Sequence, residues 1–192
     1  GIGFAVAGSP VFSATLREQL RDDAVMTLDT LATSGIASEI LSGDAPAAVE
    51  SIASQLPVTR FVANVRPGDK LARLEQAKAD GQHMLMVGDG VNDAPALAAA
   101  HVSMAPASAA EVGRMAADFV FTRDSLSAVS TAFTVSRRAR SIVLQNFGLA
   151  IVYNVFAVPL AMAGYLNPFI AAVAMSSSSI IVVANSLRLY GI

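Results

Sequence analysis

The densest cluster of side chains that could do chemistry lies in residues 88–97, which read Gly-Asp-Gly-Val-Asn-Asp-Ala-Pro-Ala-Leu. Two carboxylates, Asp89 and Asp93, stand four residues apart, and the amide of Asn92 lies between them. Magnesium prefers such hard oxygen ligands and keeps water and a substrate phosphate in its remaining positions. We therefore interpret Asp89 and Asp93 as magnesium ligands, although a bare Gly-Asp-Gly is more often an ordinary turn.

Two further groups suit a phosphate. Ser42, Gly43 and Asp44 offer a hydroxyl and free backbone N–H groups after a short apolar run, and Lys70 offers an ammonium. Phosphoryl transfer is catalysed mainly by positioning and charge neutralisation, so these groups, with Asn92, are candidate catalytic residues. Each has an ordinary alternative: Ser-Gly-Asp as a turn in which Asp44 caps a helix, and Lys70 as a solvated surface lysine.

Short apolar runs alternate with helical patterns through the first 123 residues. Strands are predicted at residues 3–7, 37–41, 60–63, 84–87, 102–104 and 119–121. Helices are predicted at residues 15–33, 45–55, 66–81, from the turn to residue 100, and at 109–116. This alternation indicates an α/β fold, a parallel sheet with helices on both faces. Right-handed crossovers would bring the strand-to-helix loops, and with them the three groups, to one edge.

The apolar content is concentrated in the last third of the chain. Hydrophobic residues make up 54% of the sequence, the mean hydropathy is +0.54, and no charged residue lies between Arg140 and Arg188. Residues 142–164 and 168–187 are each long enough for the roughly 20 residues that a membrane-spanning helix needs. We expect an amphipathic linker helix at 124–141 and a two-helix transmembrane hairpin at 142–192. Two core helices of a soluble domain are the alternative.

Charge and cysteine content exclude other classes. Of the 13 basic and 15 acidic residues, only Arg188 lies beyond residue 140, so the soluble part is nearly balanced and does not indicate nucleic-acid binding. The chain has no cysteine, which excludes a disulfide framework. His83 and His101 have no partner at ligand spacing, and we expect them to be structural or surface residues.

Residues 88–97 resemble the hinge motif of the P-type ion-pumping ATPases. With Ser42-Gly43-Asp44 and Lys70 they resemble the second, third and fourth motifs of the haloacid-dehalogenase-like (Rossmann-like) fold, with serine in place of the commoner threonine. The resemblance implies that Asp89, helped by Asn92 and Asp93, holds Mg²⁺, that Ser42 and Lys70 hold the phosphoryl group, and that ATP is bound mainly by a separate nucleotide domain.

The family's phosphorylated aspartate lies in an Asp-Lys-Thr-Gly-Thr string that does not occur in residues 1–192. The resemblance therefore implies the C-terminal portion of a pump. Residues 1–123 would be the C-terminal part of the phosphorylation domain with a remnant of the nucleotide-domain boundary. The fragment by itself is expected to be inactive.

A polar side chain inside a membrane-spanning helix costs free energy unless it binds a substrate or ion or is hydrogen-bonded. Tyr153 and Asn154 lie in the middle of the first span, and Met175 and Ser179 lie four apart in the second. Helix packing is the alternative role. These residues resemble the seventh and eighth membrane helices of copper(I)-transporting P1B-type ATPases, which implies that all four bind the transported ion. A thioether and neutral oxygens suit Cu(I), and Ag(I) equally.

The resemblance implies ATP-driven Cu(I) export across the bacterial plasma membrane, with the soluble part in the cytoplasm and a copper chaperone as a partner. Residues 104–118 resemble a bacterial branch that supplies copper for cytochrome oxidase assembly. A membrane-anchored phosphatase of the same fold and an inactive truncated membrane protein are the alternatives.

Overall fold

The computed structural model describes residues 2–4, 12–14, 20–123, 125–165 and 167–190. It contains two compact units, Gly1–Ser130 and Thr131–Ile192. The turn predicted at residues 8–10 and the first part of the helix predicted at 15–33 lie outside the described residues.

In the first unit, paired strands that are connected through a helix run parallel to each other. β3 pairs with β4, and β5, β6 and β7 form a three-stranded group in that order. The first two strands form an antiparallel pair. A strand was predicted at residues 3–7, of which 5–7 lie outside the described residues, and the second strand was not predicted. The bounds are β1 Ile2–Phe4, β2 Phe12–Ala14, β3 Glu39–Leu41, β4 Arg60–Val62, β5 Leu85–Val87, β6 Val102–Pro106 and β7 Phe119–Phe121.

Five helices connect these strands, and a short 3-10 turn at Val91–Asp93 precedes the fourth. Their bounds are α1 Ala24–Thr33, α2 Pro46–Ala53, α3 Pro67–Ala79, α4 Ala94–Ala99 and α5 Glu111–Ala116. The α/β architecture predicted from the sequence is thus confirmed. Two local predictions were wrong: residues 20–23, which were predicted to be helical, precede α1 instead of belonging to it, and Asp44 does not cap α2. Ala45 occupies the cap position before Pro46, whose fixed φ suits the first helical residue.

The core of the first unit is built from small and branched apolar side chains of the helices and of β6. Leu97 is 1% exposed, and the adjacent strand buries Ser103 to the same degree. A buried hydroxyl is costly unless it is hydrogen-bonded. The Ser103 N–H and Oγ donate to Asp118 Oδ2 at 2.8 and 2.9 Å, so the loop before β7 is tied to β6.

The second unit consists mainly of two long apolar helices. α6 covers Ser127–Met162 and α7 covers Pro168–Leu187, followed by a 3-10 turn at Arg188–Tyr190. Both are long and apolar enough to cross a membrane, and their most apolar windows are 6% and 0% buried within the chain. Residues 127–141 of the predicted linker and residues 142–162 of the first predicted span form a single helix, because no helix-breaking residue separates them.

Amide side chains join the middle of α6 to the C-terminal end of α7. Asn185 Nδ2 donates to Asn146 Oδ1, and Asn146 Nδ2 donates to Ser186 Oγ, both at 2.9 Å. Arg188 Nη1 also donates to Asn185 Oδ1 at 3.0 Å. In apolar surroundings, polar side chains of neighbouring helices find their partners in one another. These bonds fix the register of the two helices.

The Asp23 carboxylate, just before α1, holds the start of α6. Its Oδ2 accepts hydrogen bonds from the Ser125 hydroxyl and from the Ser127 N–H, the latter at 2.8 Å. These bonds, that from Ser125 foremost, lower the pKa of Asp23 below the ordinary aspartate value of 3.8. A negative charge at a helix N-terminus is also stabilised by the helix dipole.

Replacing Asp23 by Asn should destabilise the first unit by about 1 kcal/mol at neutral pH, because the charge-assisted bonds become neutral ones. Since the pKa of Asp23 is lowered in the folded state, this contribution is present above about pH 4 and disappears as the pH falls through the folded-state pKa. Chemical denaturation at several pH values measures it. Asp22→Asn, at an exposed neighbour, is the control; equal stabilities of Asp23→Asn and the parent at pH 7 would contradict the assignment.

Candidate functional site

The turn after β5 folds back upon itself. The Gly88 N–H donates to the Met104 carbonyl at 3.2 Å, which continues the pairing with β6. Asp93 returns over this glycine so closely that a Cβ at Gly88 would lie 2.9 Å from the Asp93 Cβ. Position 88 therefore excludes any larger side chain unless Asp93 moves. The glycine allows the carboxylate to reach its position at the carboxyl end of the strand.

Asp93 forms an ion pair with Lys70, which comes from the first turn of α3. Lys70 Nζ lies 2.7 Å from Asp93 Oδ1, and the side chains are only 12% and 13% exposed. The Asp69 carboxylate accepts the Arg66 N–H at 3.0 Å, which fixes the start of α3 and with it the position of Lys70. Two candidate residues 23 positions apart are thus held together by a largely buried contact, and the alternative of Lys70 as a solvated lysine was wrong.

The Asp89 carboxylate is exposed, and none of the described side chains pairs with it. Its backbone carbonyl accepts the Ala110 N–H at 3.3 Å, which positions the residue without engaging its carboxylate. A hard anionic oxygen at the carboxyl end of a strand is a suitable magnesium ligand. Asp93 Oδ1 is occupied by Lys70, so only Oδ2 remains for the metal role predicted for that residue. The donor set present fits Mg²⁺.

Ser42 lies directly after β3, where its N–H donates to the Val62 carbonyl at 3.0 Å and extends the pairing with β4. Its hydroxyl donates to the Asp44 carboxylate, and the Asp44 N–H donates to Ser42 Oγ at 3.2 Å. Asp44 therefore orients the hydroxyl. Among the described residues no hydrogen bond joins Ser42 or Gly43 to Lys70, Asp89 or Asn92.

An ion pair that the sequence analysis missed connects the elements that carry Lys70 and Ser42. Arg73 lies one turn after Lys70 in α3, and its Nη2 is 2.7 Å from Oε1 of Glu39, the first residue of β3. Glutamate is uncommon in short parallel strands. Its presence in the predicted strand was the one feature of the sequence that could have indicated an ion pair at this position. The pair fixes α3 against β3, the strand that immediately precedes Ser42.

The four residues assigned to the transported ion do not form a closed site within the described chain. Asn154 Nδ2 donates to the Ala150 carbonyl of its own helix at 2.9 Å, and Tyr153 is half-buried. Met175 is 67% exposed, and Ser179 is also exposed. No hydrogen bond among the described residues joins the pair on α6 to the pair on α7.

Comparison with known proteins agrees with this architecture. A family model described as "haloacid dehalogenase-like hydrolase" matches residues 5–101, and the chain belongs to that family. Within it, the resemblance to P1B-type ATPases is confirmed by similar proteins and solved structures.

Three similarities illustrate this. The nitrogen fixation protein FixI of Rhizobium leguminosarum bv. viciae is 52% identical over 174 residues, which are 91% of this chain and 23% of that protein. A copper-exporting P-type ATPase of Mycobacterium tuberculosis (strain ATCC 25618 / H37Rv) is 37% identical over 96% of this chain and 24% of its own length. The crystal structure of a zinc-transporting PIB-type ATPase in its E2.Pi state matches with a TM-score of 0.84 at 30% identity, covering 90% of this chain and 28% of that one. The chain thus spans about a quarter of the length of these relatives.

Replacing Lys70 by Met should destabilise the first unit by about 3 kcal/mol, because Asp93 would remain as a largely buried charge without its partner. Asp93→Asn should have a smaller effect in the Lys70→Met background than in the parent. A double-mutant cycle of denaturant unfolding measures the coupling, with Lys78→Met, at an exposed lysine of the same helix, as control. Strictly additive effects would show that the two residues do not interact in solution.

Proposed function

We propose that this chain is part of an ATP-driven pump that exports a soft monovalent metal ion, Cu(I), across the bacterial plasma membrane through an aspartyl-phosphate cycle. One observation carries the proposal: the turn after β5 holds both Asp93, in a largely buried pair with Lys70, and the exposed carboxylate of Asp89, which pairs with no described side chain. The same chain continues into two apolar helices. The family and its P-type ATPase relatives support the same class of activity.

At the phosphate edge, the Lys70 ammonium neutralises a phosphoryl oxygen while Asp93 holds its orientation. The Gly43 N–H donates a hydrogen bond to the same group. The Ser42 hydroxyl, which donates to Asp44 in this structure, would turn to the phosphoryl oxygen when that group is bound. Asp89, with Asn92 and the free oxygen of Asp93, would hold Mg²⁺, which supplies charge neutralisation when bound. The catalytic contribution of these residues is electrostatic stabilisation by groups that are already in position.

We assign the segments of this chain by analogy with the domains of the family. We assign residues 1–123 to the phosphorylation domain with a remnant of its boundary to the nucleotide domain, 124–141 to a linker segment and 142–192 to two transmembrane helices. The soluble part lies in the cytoplasm. ATP is bound mainly by another domain of the full-length protein, and the phosphorylated aspartate also lies outside these 192 residues.

The identity of the transported ion is argued from ligand chemistry. Residues 142–192 contain no carboxylate, histidine or cysteine, so the candidate ligands Tyr153, Asn154, Met175 and Ser179 are neutral. A thioether with neutral oxygens suits a soft monovalent ion, whereas a site for Zn²⁺ would be expected to keep a charged ligand. Ag(I) shares this chemistry. A copper chaperone and membrane lipid are the partners that fit this function.

Asp89→Asn should lower the Cu(I)-stimulated ATPase activity of the full-length protein by about 100-fold or more, because an anionic ligand at the phosphate edge is lost. The measurement is phosphate release with and without Cu(I), with Asp29→Asn, at an exposed position on α1, as control. A rate of ATP hydrolysis that is the same with and without Cu(I) would refute Cu(I) as the transported ion. Hydrolysis of a simple phosphate ester in place of ATP would favour the membrane-anchored phosphatase.

Met175→Leu should raise the Cu(I) concentration needed for half-maximal activation by about tenfold, because the thioether ligand is lost while side-chain volume is retained. Met162→Leu, at an exposed methionine near the end of α6, is the matched control. An unchanged activation curve for Met175→Leu would exclude Met175 as a ligand and leave the phosphate chemistry unaffected.

A further inference from the structure

The two histidines of the chain, His83 and His101, lie side by side although 18 positions separate them in the sequence. Their ring centroids are 4.4 Å apart and the rings are inclined at 74°. Both side chains are exposed. They are surface residues, as expected, and the structure adds that each ring is the other's neighbour. Sequence spacing could not show this, because the two residues are brought together by strand pairing.

The backbone beneath the pair is fixed by the sheet. His83 precedes β5 by two residues, and His101 directly precedes β6. The two strands are parallel, with Leu85 opposite Val102, and the Val102 N–H donates to the Met84 carbonyl at 3.2 Å. The two Cα positions are thus held at a constant separation, while the exposed rings remain free to rotate about their side-chain bonds.

We propose that His83 and His101 together bind a transition metal ion of the Zn²⁺ or Cu²⁺ class. Neutral imidazole is a preferred ligand of these ions. On one tetrahedral ion with metal–nitrogen bonds of about 2.0 Å, two imidazole centroids lie about 5 Å apart, which is close to the observed separation, so rotation of the exposed rings can turn one nitrogen of each toward a shared ion. In the described part of the chain no third histidine, cysteine or carboxylate joins them, and water completes the coordination.

This site is separate from the phosphate edge. The histidines stand at the amino ends of β5 and β6, whereas Asp89 follows the carboxyl end of β5. The ligands also differ in kind, since Asp89 offers a hard oxygen suited to Mg²⁺ and the histidines offer borderline nitrogen. The inference does not depend on the transported ion or on ATP hydrolysis.

Modification of histidine by diethyl pyrocarbonate, read by peptide mass spectrometry, tests the site residue by residue. In the full-length protein without nucleotide, Zn²⁺ should slow carbethoxylation of both His83 and His101 by about tenfold, because the metal occupies the reactive nitrogen. Mg²⁺ at the same concentration should give no protection. In His83→Gln, Zn²⁺ should no longer protect His101, and in His101→Gln it should no longer protect His83.

Two results would overturn the proposal. Equal modification rates with and without Zn²⁺ would show that the rings make only an aromatic contact. Protection of His101 that persists in His83→Gln would show that the metal binds to one histidine with other ligands. Neither result bears on copper-stimulated ATP hydrolysis, so failure of this site and failure of the proposed pump are distinguished.

Discussion

The ion pair between Lys70 and Asp93 is the contact on which the arrangement of the first unit's candidate site depends. It joins the first turn of α3 to the turn after β5 at 2.7 Å, where both side chains are nearly buried. The Lys70 side chain keeps its orientation only if the Asp93 carboxylate keeps its position. Asp93 can occupy that position because Gly88, beneath it, has no side chain. Burial strengthens the attraction relative to water and makes the loss of either charge costly. The Asp89 carboxylate, in the same turn, is exposed and has no partner among the described side chains.

The two units satisfy their polar groups in different ways. In the first, carboxylates accept hydrogen bonds from serine hydroxyls and backbone N–H groups, as Asp118 does for Ser103 and Asp23 for Ser127. In the second, where no acidic residue is present, neutral amides pair across the helices, as Asn146 does with Asn185. A charge is costly in apolar surroundings and an amide is less so, which explains the change in chemistry.

The parallel sheet presents different chemistry at its two ends. Carboxylates, a hydroxyl and an ammonium lie beyond the carboxyl ends of the strands, where loops lead into helices. The amino ends of β5 and β6 carry instead a pair of imidazoles at the surface. Because neighbouring parallel strands start and finish at the same edges, residues distant in sequence meet at each end. The strands between them keep the carboxylates and the imidazoles apart.

The sequence by itself determined the alternation of strands and helices, the bounds of α7, the two apolar spans, and the family resemblance carried by residues 88–97, since these depend on local periodicity and on short motifs. It also singled out Lys70, Asp89 and Asp93. Only the tertiary structure decided that Lys70 contacts Asp93, that Arg73 pairs with Glu39, that Asp44 orients Ser42 rather than capping α2, and that His83 meets His101. Such contacts join residues from different elements, and their distances follow from strand register and helix packing, which no local pattern encodes.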